Sequence, residues 1–460
     1  GPVTDEHYDI VILGAGSGGY ACALRASQLG MSVVLIEREK LGGTCLHRGC
    51  IPTKALLHSA EVADAARESS AFGVDTKLRG IDMTGVNSYK DTVVGRLYKG
   101  LTGLVKARGI TYVEGDGRLT GPHSVSVGNT TYVGKAVVLA TGSYSRTLPG
   151  VDIGGRIMSS DQALTLDWIP QSVIVLGGGV IGVEFASVWK SFGADVTIIE
   201  ALPRLVPAED EACSKALERA FRKRKINFST GVRFASATQD DTAVTVTLED
   251  GKTITADLLL VAVGRGPNTA GMGFEEQGVA LDRGFVTVDE NLQTNVPGVY
   301  AVGDIVPGLQ LAHRGFAQGI YLAEHLGGEN PMPLDEAGIP RVTYCEPEVA
   351  SVGLTQAEAE AKYGANKITA YEYNLGGNGK SQILATAGFV KLVQLNDGPV
   401  IGIHMVGSRM GEQIGEAQLI YNWEATAADV AALVHAHPTQ SEAVGEAHLA
   451  LAGKPLHAHS

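Results

Sequence analysis

Two glycine-rich turns, a domain's length apart, constrain this chain more tightly than any other feature. The run YDIVILGAGSGGYACALRASQLGMSVVLIE opens with an apolar stretch of the kind a buried parallel strand needs. It passes through Gly14-x-Gly16-x-x-Gly19 into a helical segment and a second strand ending at Glu37. In such a unit the first glycine makes a tight turn and the second lets the backbone approach a pyrophosphate. The third lets helix and strand pack closely, and the terminal acid meets a ribose hydroxyl. The same order returns as SVIVLGGGVIGVEFASVWKSFGADVTIIE, where Gly177, Gly179, Gly182 and Glu200 each follow Gly14, Gly16, Gly19 and Glu37 by 163 residues. A constant offset of that length marks an internal repeat of a whole folding unit. The chain is therefore expected to be α/β, with two Rossmann-like dinucleotide-binding domains holding two cofactors that exchange electrons.

The second acid selects between nicotinamide cofactors. Glu200 accepts hydrogen bonds from the ribose hydroxyls of NAD and repels the extra phosphate of NADP. No arginine follows it directly, since Arg204 comes after Ala201, Leu202 and Pro203. The net charge of −13 argues against nucleic acid or an anionic membrane as the main partner. The basic cluster from Arg222 to Lys225 reads as a solvated last helical turn that complements the helix dipole. Residues 172–189 form the longest apolar stretch, but glycines and Glu184 interrupt it, so it reads as strand, turn and helix instead of a membrane span. Only a few polar residues precede the first strand, which leaves no room for a signal peptide, and Gly1-Pro2 reads as a cloning scar. The expected compartment is the cytoplasm, or an organelle matrix after trimming.

Five cysteines in 460 residues are too few for a disulfide scaffold, and Cys22, Cys213 and Cys345 read as small buried residues. Cys45 and Cys50 are different, because GGTCLHRGCIPTK places them just after the first dinucleotide unit. On a regular helix their ends would be about 8–9 Å apart. A disulfide needs Cα atoms within roughly 7 Å. Closure requires a distorted turn, for which Gly49 gives freedom and Pro52 a break. A bridge closed under strain is easily reduced and suits a redox centre. Farther on, TNVPGVYAVGDIV ends a strand with Gly303-Asp304, an acid that either meets a flavin's ribityl or phosphate region or caps a plain turn. Near the C-terminus, the proline of His437-Pro438 restricts the histidine to extended backbone ahead of a helix, while Thr439 and Glu442 have capping-box spacing. His435 and His437 without further ligands make a poor metal site, so no metal is expected. His457 and His459 read as a frayed end.

In this order, the two fingerprints, GGTCLHRGCIPTK, LATGS (139–143), VGRGPN (263–268), the Asp304 motif, RVTYCEPEVASVGLT (341–355) and HAHPTQSEA (435–443) resemble the flavin-dependent pyridine nucleotide–disulfide oxidoreductases over essentially the whole chain. The resemblance implies FAD and NAD as cofactors and four segments. An FAD-binding domain with the redox disulfide spans 1–147 and an NAD-binding domain 148–270. A central domain over 271–340 completes the FAD site, and an α+β dimer-interface domain spans 341–460. It assigns Gly14, Gly16, Gly19, Glu37, Thr141, Gly142, Gly303 and Asp304 to FAD, and Gly177, Gly179, Gly182, Glu200 and Gly264 to the cofactor set around NAD. Lys54 becomes the lysine beside the flavin ring, paired with Glu184. His437, oriented by Glu442, becomes an acid–base group that reaches Cys45 and Cys50 from the partner subunit, so a homodimer is implied.

The implied activity is oxidation of protein-bound dihydrolipoyl groups, carried by lipoyl domains of 2-oxo acid dehydrogenase or glycine-cleavage complexes, with electrons delivered to NAD+. The alternative is an NADH-dependent reductase of a low-molecular-weight disulfide or a quinone. Glu200 opposes NADPH-dependent types, and the lack of cysteines in the last hundred residues opposes reductases that need a terminal thiol pair. One departure is Leu46-His47-Arg48-Gly49, where many members carry Asn and Val at the middle positions; His47 and Arg48 are expected to face solvent.

Overall fold

The computed structural model describes residues 3–458; Gly1, Pro2 and His459, on which two expectations fall, lie outside the described residues. Residues 10–13 are 0–4% exposed and therefore need cover on both faces, which a parallel sheet flanked by helices supplies. Strand Thr4–Leu13 pairs in parallel with Val33–Glu37 on one side and Thr130–Leu139 on the other. Ile12 stands opposite both Leu35 and Val138. Thr111–Glu114 extends the sheet beyond Val33–Glu37. At the other edge, Thr130–Leu139 pairs its first half with Ser124–Val127 and its last residues with Val299–Ala301. The chain thus returns to its first sheet more than 150 residues later, and Val299–Ala301 delivers Gly303 and Asp304 to it.

A second sheet follows the same logic. Asn227–Thr230, Asp195–Glu200, Ser172–Leu176, Leu258–Val261 and Ile157–Met158 lie side by side in that order, all parallel. An antiparallel meander, Phe234–Gln239, Val244–Leu248 and Thr253–Ala256, covers one of its faces through Val244, Val246 and Leu248. The C-terminal unit is α+β, with an antiparallel five-stranded sheet ordered Arg341–Thr343, Glu348–Gly353, Val400–Gly407, Phe389–Leu395, Ile368–Asn374. Helices Met410–Asn422 and Ser441–Leu451 pack against it.

One apolar core joins all three units and fixes where the site falls. Helix α1 (Ser17–Gln28) follows the first fingerprint, α2 (Gly43–Arg48) and α3 (Cys50–Glu68) carry the two cysteines, and α4 (Met83–Ala107) packs beside α3. After the short α5 (Ser160–Ala163), α6 (Val180–Ser191) follows the second fingerprint and is buried nearly all round. Leu56 and Ala60 of α3 meet Val183 and Phe185 of α6, and the cluster continues to Cys345, Val349 and Phe389 of the third sheet. A fully buried side chain such as Phe185 contributes about 1.5–3 kcal/mol. Burial of Cys22, Cys213 and Cys345 agrees with their reading as core residues.

Two local expectations need correction. The basic cluster at the C-terminal end of α7 (Glu211–Lys223) is not simply solvated. Arg224 donates to the Ser187 and Ser191 hydroxyls and to the Glu346 carbonyl, binding α7 to α6 and to the third unit, because a guanidinium has enough donors to satisfy several elements at once. His457 is not frayed: its Nδ1 lies 2.7 Å from Glu446 Oε1, and its N–H donates to Glu446 Oε2.

Candidate active site

The repeat extends from sequence into atomic detail. Gly14 and Gly177 adopt φ of +106° and +114°, and a Cβ at either would fall 2.0 Å from the carbonyl oxygen of Ala140 or Ala262. Gly19 and Gly182 would each place a Cβ 1.9 Å from the carbonyl of the first glycine, so they pack helix on strand from behind and do not line the cleft. Gly16 and Gly179 are open instead. A Cβ at 16 would meet only Gly43 Cα, at 3.8 Å, and one at 179 would meet nothing within 4 Å. That room lies at the N-termini of α1 and α6, where unpaired N–H groups and the helix dipole favour phosphate. The two acids are also held alike. Glu37 accepts the N–H groups of Ala15 (2.9 Å) and Glu39 (2.8 Å), and Glu200 those of Gly178 (2.9 Å) and Leu202 (2.8 Å). Both cradles open into one cleft of about 2030 Å³. A site for one drug-sized ligand takes roughly 300–1,000 Å³, so the residues present fit two dinucleotides.

The dithiol lies in the same cleft. α2 ends at Arg48, Gly49 breaks the backbone at φ −142°, ψ −117°, and α3 begins at Cys50. The break is at Gly49 and not at Pro52, which sits in the first turn of α3 where its missing N–H costs nothing. A Cβ at 49 would stand 3.0 Å from the Thr44 carbonyl oxygen. The fold-back brings the Cys45 and Cys50 thiols next to each other in the cleft. That proximity, with help from the Lys54 ammonium, holds Cys50 down to about 7 and drives Cys45 well above the ordinary thiol range. A position at a helix N-terminus favours the Cys50 thiolate as well. His47 and Arg48 do not project freely into solvent: His47 Nε2 is 2.9 Å from the Leu41 carbonyl and the ring stands edge-on to Tyr98, while Arg48 pairs with Glu39. Both have partners within reach because α2 folds back along residues 39–41.

One turn after Cys50, Lys54 Nζ reaches both carboxylate oxygens of buried Glu184, at 2.9 and 3.0 Å. Burial alone would lower the lysine's pKa, but the Glu184 carboxylate outweighs it and raises it. Asp304 accepts the Ser143 hydroxyl at 2.7 Å, and that hydroxyl accepts Arg265 Nε at 2.8 Å. Gly303 donates its N–H to Gln318, the Thr141 hydroxyl donates to the Asn268 carbonyl, the Gly142 carbonyl accepts the Asn268 N–H, and that of Gly264 accepts the Arg146 N–H. Sequence reading missed the parts played by Ser143, Arg265 and Gln318. The first two lie within quoted motifs, but nothing local says that residues 122 apart will meet.

His437 and Glu442, like Gly19 and Gly182, do not line the cleft. His437 Nδ1 stands 2.7 and 2.9 Å from the two Glu442 oxygens, with the imidazole 68% exposed. Only half of the capping box forms: the Thr439 hydroxyl accepts the Glu442 N–H, while the Glu442 carboxylate turns to the imidazole. His435 points elsewhere, to Glu416. Among the described residues no group of three or more His, Cys, Asp or Glu is placed to hold a metal ion, and no helix is long and apolar enough to cross a membrane.

Comparison with known proteins agrees with this geometry. The pyridine nucleotide-disulphide oxidoreductase family matches residues 8–319, and that family's dimerisation domain matches residues 339–448. Dihydrolipoyl dehydrogenase of Bacillus subtilis (strain 168) is 42% identical over 98% of this chain and 99% of its own. The mitochondrial dihydrolipoyl dehydrogenase 1 of Arabidopsis thaliana is 38% identical over 99% of this chain and 92% of its own. The crystal structure of LpdA from Mycobacterium tuberculosis superposes with a TM-score of 0.90 at 28% identity, covering 98% of this chain and all of that one. With two nucleotide cradles, a dithiol between them and a matching dimerisation unit, the chain belongs to the pyridine nucleotide–disulphide oxidoreductases and forms a homodimer.

Proposed function

We propose that this enzyme is a dihydrolipoyl dehydrogenase, oxidising protein-bound dihydrolipoyl groups and reducing NAD+ through the Cys45–Cys50 disulfide and FAD. The observation that carries the reading is a dithiol in a cleft that also holds two nucleotide cradles and the Lys54–Glu184 pair. The Gly14–Gly19 turn, Glu37, Thr141, Gly142, Gly303 and Asp304 hold FAD. The Gly177–Gly182 turn, Glu200 and Gly264 serve NAD. When bound, FAD supplies a two-electron carrier between the dithiol and NAD+.

His437 Nε2 takes a proton from one substrate thiol, and Glu442 stabilises the imidazolium formed. The thiolate attacks Cys45 Sγ, the Cys45–Cys50 bond breaks, and Cys50 leaves as a thiolate. The second substrate thiol gives up its proton to solvent and attacks the substrate sulfur joined to Cys45, closing the oxidised lipoyl ring. Cys45 departs with the electron pair and recovers a proton from His437. Both electrons now reside in the dithiol, with Cys50 as the thiolate. Lys54 presents positive charge that favours an electron-rich reduced cofactor, and Glu184 orients and moderates it. Within one chain the exposed imidazole of His437 lies outside the dithiol cleft, which supports its service to the partner subunit. Lipoyl domains of 2-oxo acid dehydrogenase or glycine-cleavage complexes are the natural partners, and the cytoplasm is the proposed compartment.

The test is a steady-state panel. Dihydrolipoamide with NAD+ is expected to dominate over NADP+ and over NADH with glutathione disulfide, mycothiol disulfide or quinones. Faster turnover of any of these others would overturn the assignment.

A further inference from the structure

We propose that Tyr344 is a positioning residue for the redox lysine, its aromatic face and its backbone N–H together fixing the Lys54–Glu184 pair. Tyr344 follows strand Arg341–Thr343 in the dimerisation unit, yet it lines the cleft that the two nucleotide units form. Its N–H donates to Glu184 Oε2 at 2.8 Å, and Lys54 Nζ sits 4.6 Å from the centre of its ring. One residue therefore holds both members of the pair. Glu184 accepts from Lys54 through both oxygens and from Tyr344 through one, which locks the carboxylate from two sides. On another side of the ammonium, the ring face takes a place that water would otherwise fill.

An aromatic face beside a cation is worth roughly two- to thirtyfold in an equilibrium that depends on the cation's placement, more as water is excluded. The backbone hydrogen bond survives any side-chain replacement, so variants at 344 isolate the ring. By this contact the dimerisation unit reaches the redox centre of its own chain. The inference rests on the proposed role of Lys54 beside the cofactor and extends it.

The experiment measures the reduction potential of bound flavin in purified holoenzyme, with FAD content and thermal midpoint recorded alongside. Lys54→Met is expected to move the potential to more negative values. Tyr344→Phe, which keeps the ring, is expected to hold the wild-type potential. Tyr344→Leu is expected to shift it in the Lys54→Met direction, lowering the reduction constant roughly tenfold, about 30 mV for a two-electron couple. Tyr344→Met provides a second non-aromatic replacement should the leucine variant fold poorly. If Lys54→Met shifts the potential while both Tyr344→Leu and Tyr344→Met match the wild type, the ring does not position the lysine and the inference falls alone. If Lys54→Met leaves the potential unchanged, the role of Lys54 falls and this inference with it. Lost thermal stability in the Tyr344 variants without any change in potential marks a merely structural residue and overturns the proposal.

Discussion

Substituting Gly179 and Gly177, two residues apart in one turn, should separate nucleotide binding from folding. Gly179 is the N-cap of α6 at φ −81°, ψ −166°, extended backbone open to any residue, and a Cβ there meets no protein atom within 4 Å. An apolar N-cap in place of glycine costs about 0.5–1 kcal/mol. The stiffer unfolded chain returns roughly 0.4–1 kcal/mol. Gly179→Val should therefore unfold within about 1 kcal/mol of the wild type. Its branched side chain nevertheless fills the room at the α6 N-terminus, and NAD affinity should fall at least about 100-fold, roughly 2.8 kcal/mol. Gly177→Ala should behave in the opposite way. Its Cβ lies 2.0 Å from the Ala262 carbonyl oxygen on backbone of φ +114°, so the central strand must shift. The cost belongs with the largest single-residue effects, above about 4 kcal/mol. Thermal unfolding, NADH fluorescence titration and FAD absorbance read the three quantities separately, and FAD content should be unchanged in Gly179→Val because Gly16 is intact. Wild-type NAD affinity in that variant would refute the placement of the pyrophosphate at α6.

Three further outcomes are expected. Two inactive chains, Cys45→Ser and His437→Gln, should regain activity when co-expressed, because the mixed dimer contains one site with intact cysteines and an intact partner histidine; no recovery would show that His437 serves its own chain. Alkylation of the reduced enzyme should rise through about pH 7, where Cys50 becomes a thiolate; a midpoint near the ordinary thiol value would contradict the lowering of Cys50 by the neighbouring Cys45 thiol and the Lys54 ammonium. Asp210→Asn should cost about 3 kcal/mol at neutral pH, since Lys391 is 6% exposed and Asp210 is its buried partner at 2.9 Å. Burial alone would raise the pKa of Asp210, but the Gln356 N–H and the Lys391 ammonium outweigh it and hold it below the usual carboxylate value. Its contribution is thus complete above about pH 4 and is lost as pH falls through the lower folded value. A stability gap between wild type and Asp210→Asn that did not narrow in acid would refute this.

Local patterns carried far in this protein. Each fingerprint needs only the contiguous residues of one strand, turn and helix, and both turns formed where the glycines and terminal acids placed them. The fold-back at Gly49 was legible for the same reason, since it joins residues five apart. Pairing across long separations was accessible only through family likeness, as with Lys54 and Glu184, which lie on different nucleotide units. Relay contacts such as Arg265 to Ser143 to Asp304, and the reach of Tyr344 to Lys54, left no trace in spacing or composition.

By itself the amino-acid order determined that two nucleotide-binding units exist, which acids close them, and that two cysteines stand beside the first. Those features depend on backbone geometry over a few residues, where glycine, proline and side-chain alternation act directly. Tertiary structure alone decided what surrounds the redox centre: a lysine from one unit, a glutamate from the next and a tyrosine ring from the third. One apolar core shared by all three units sets those distances, and shared packing is a property of the whole chain that no short stretch encodes.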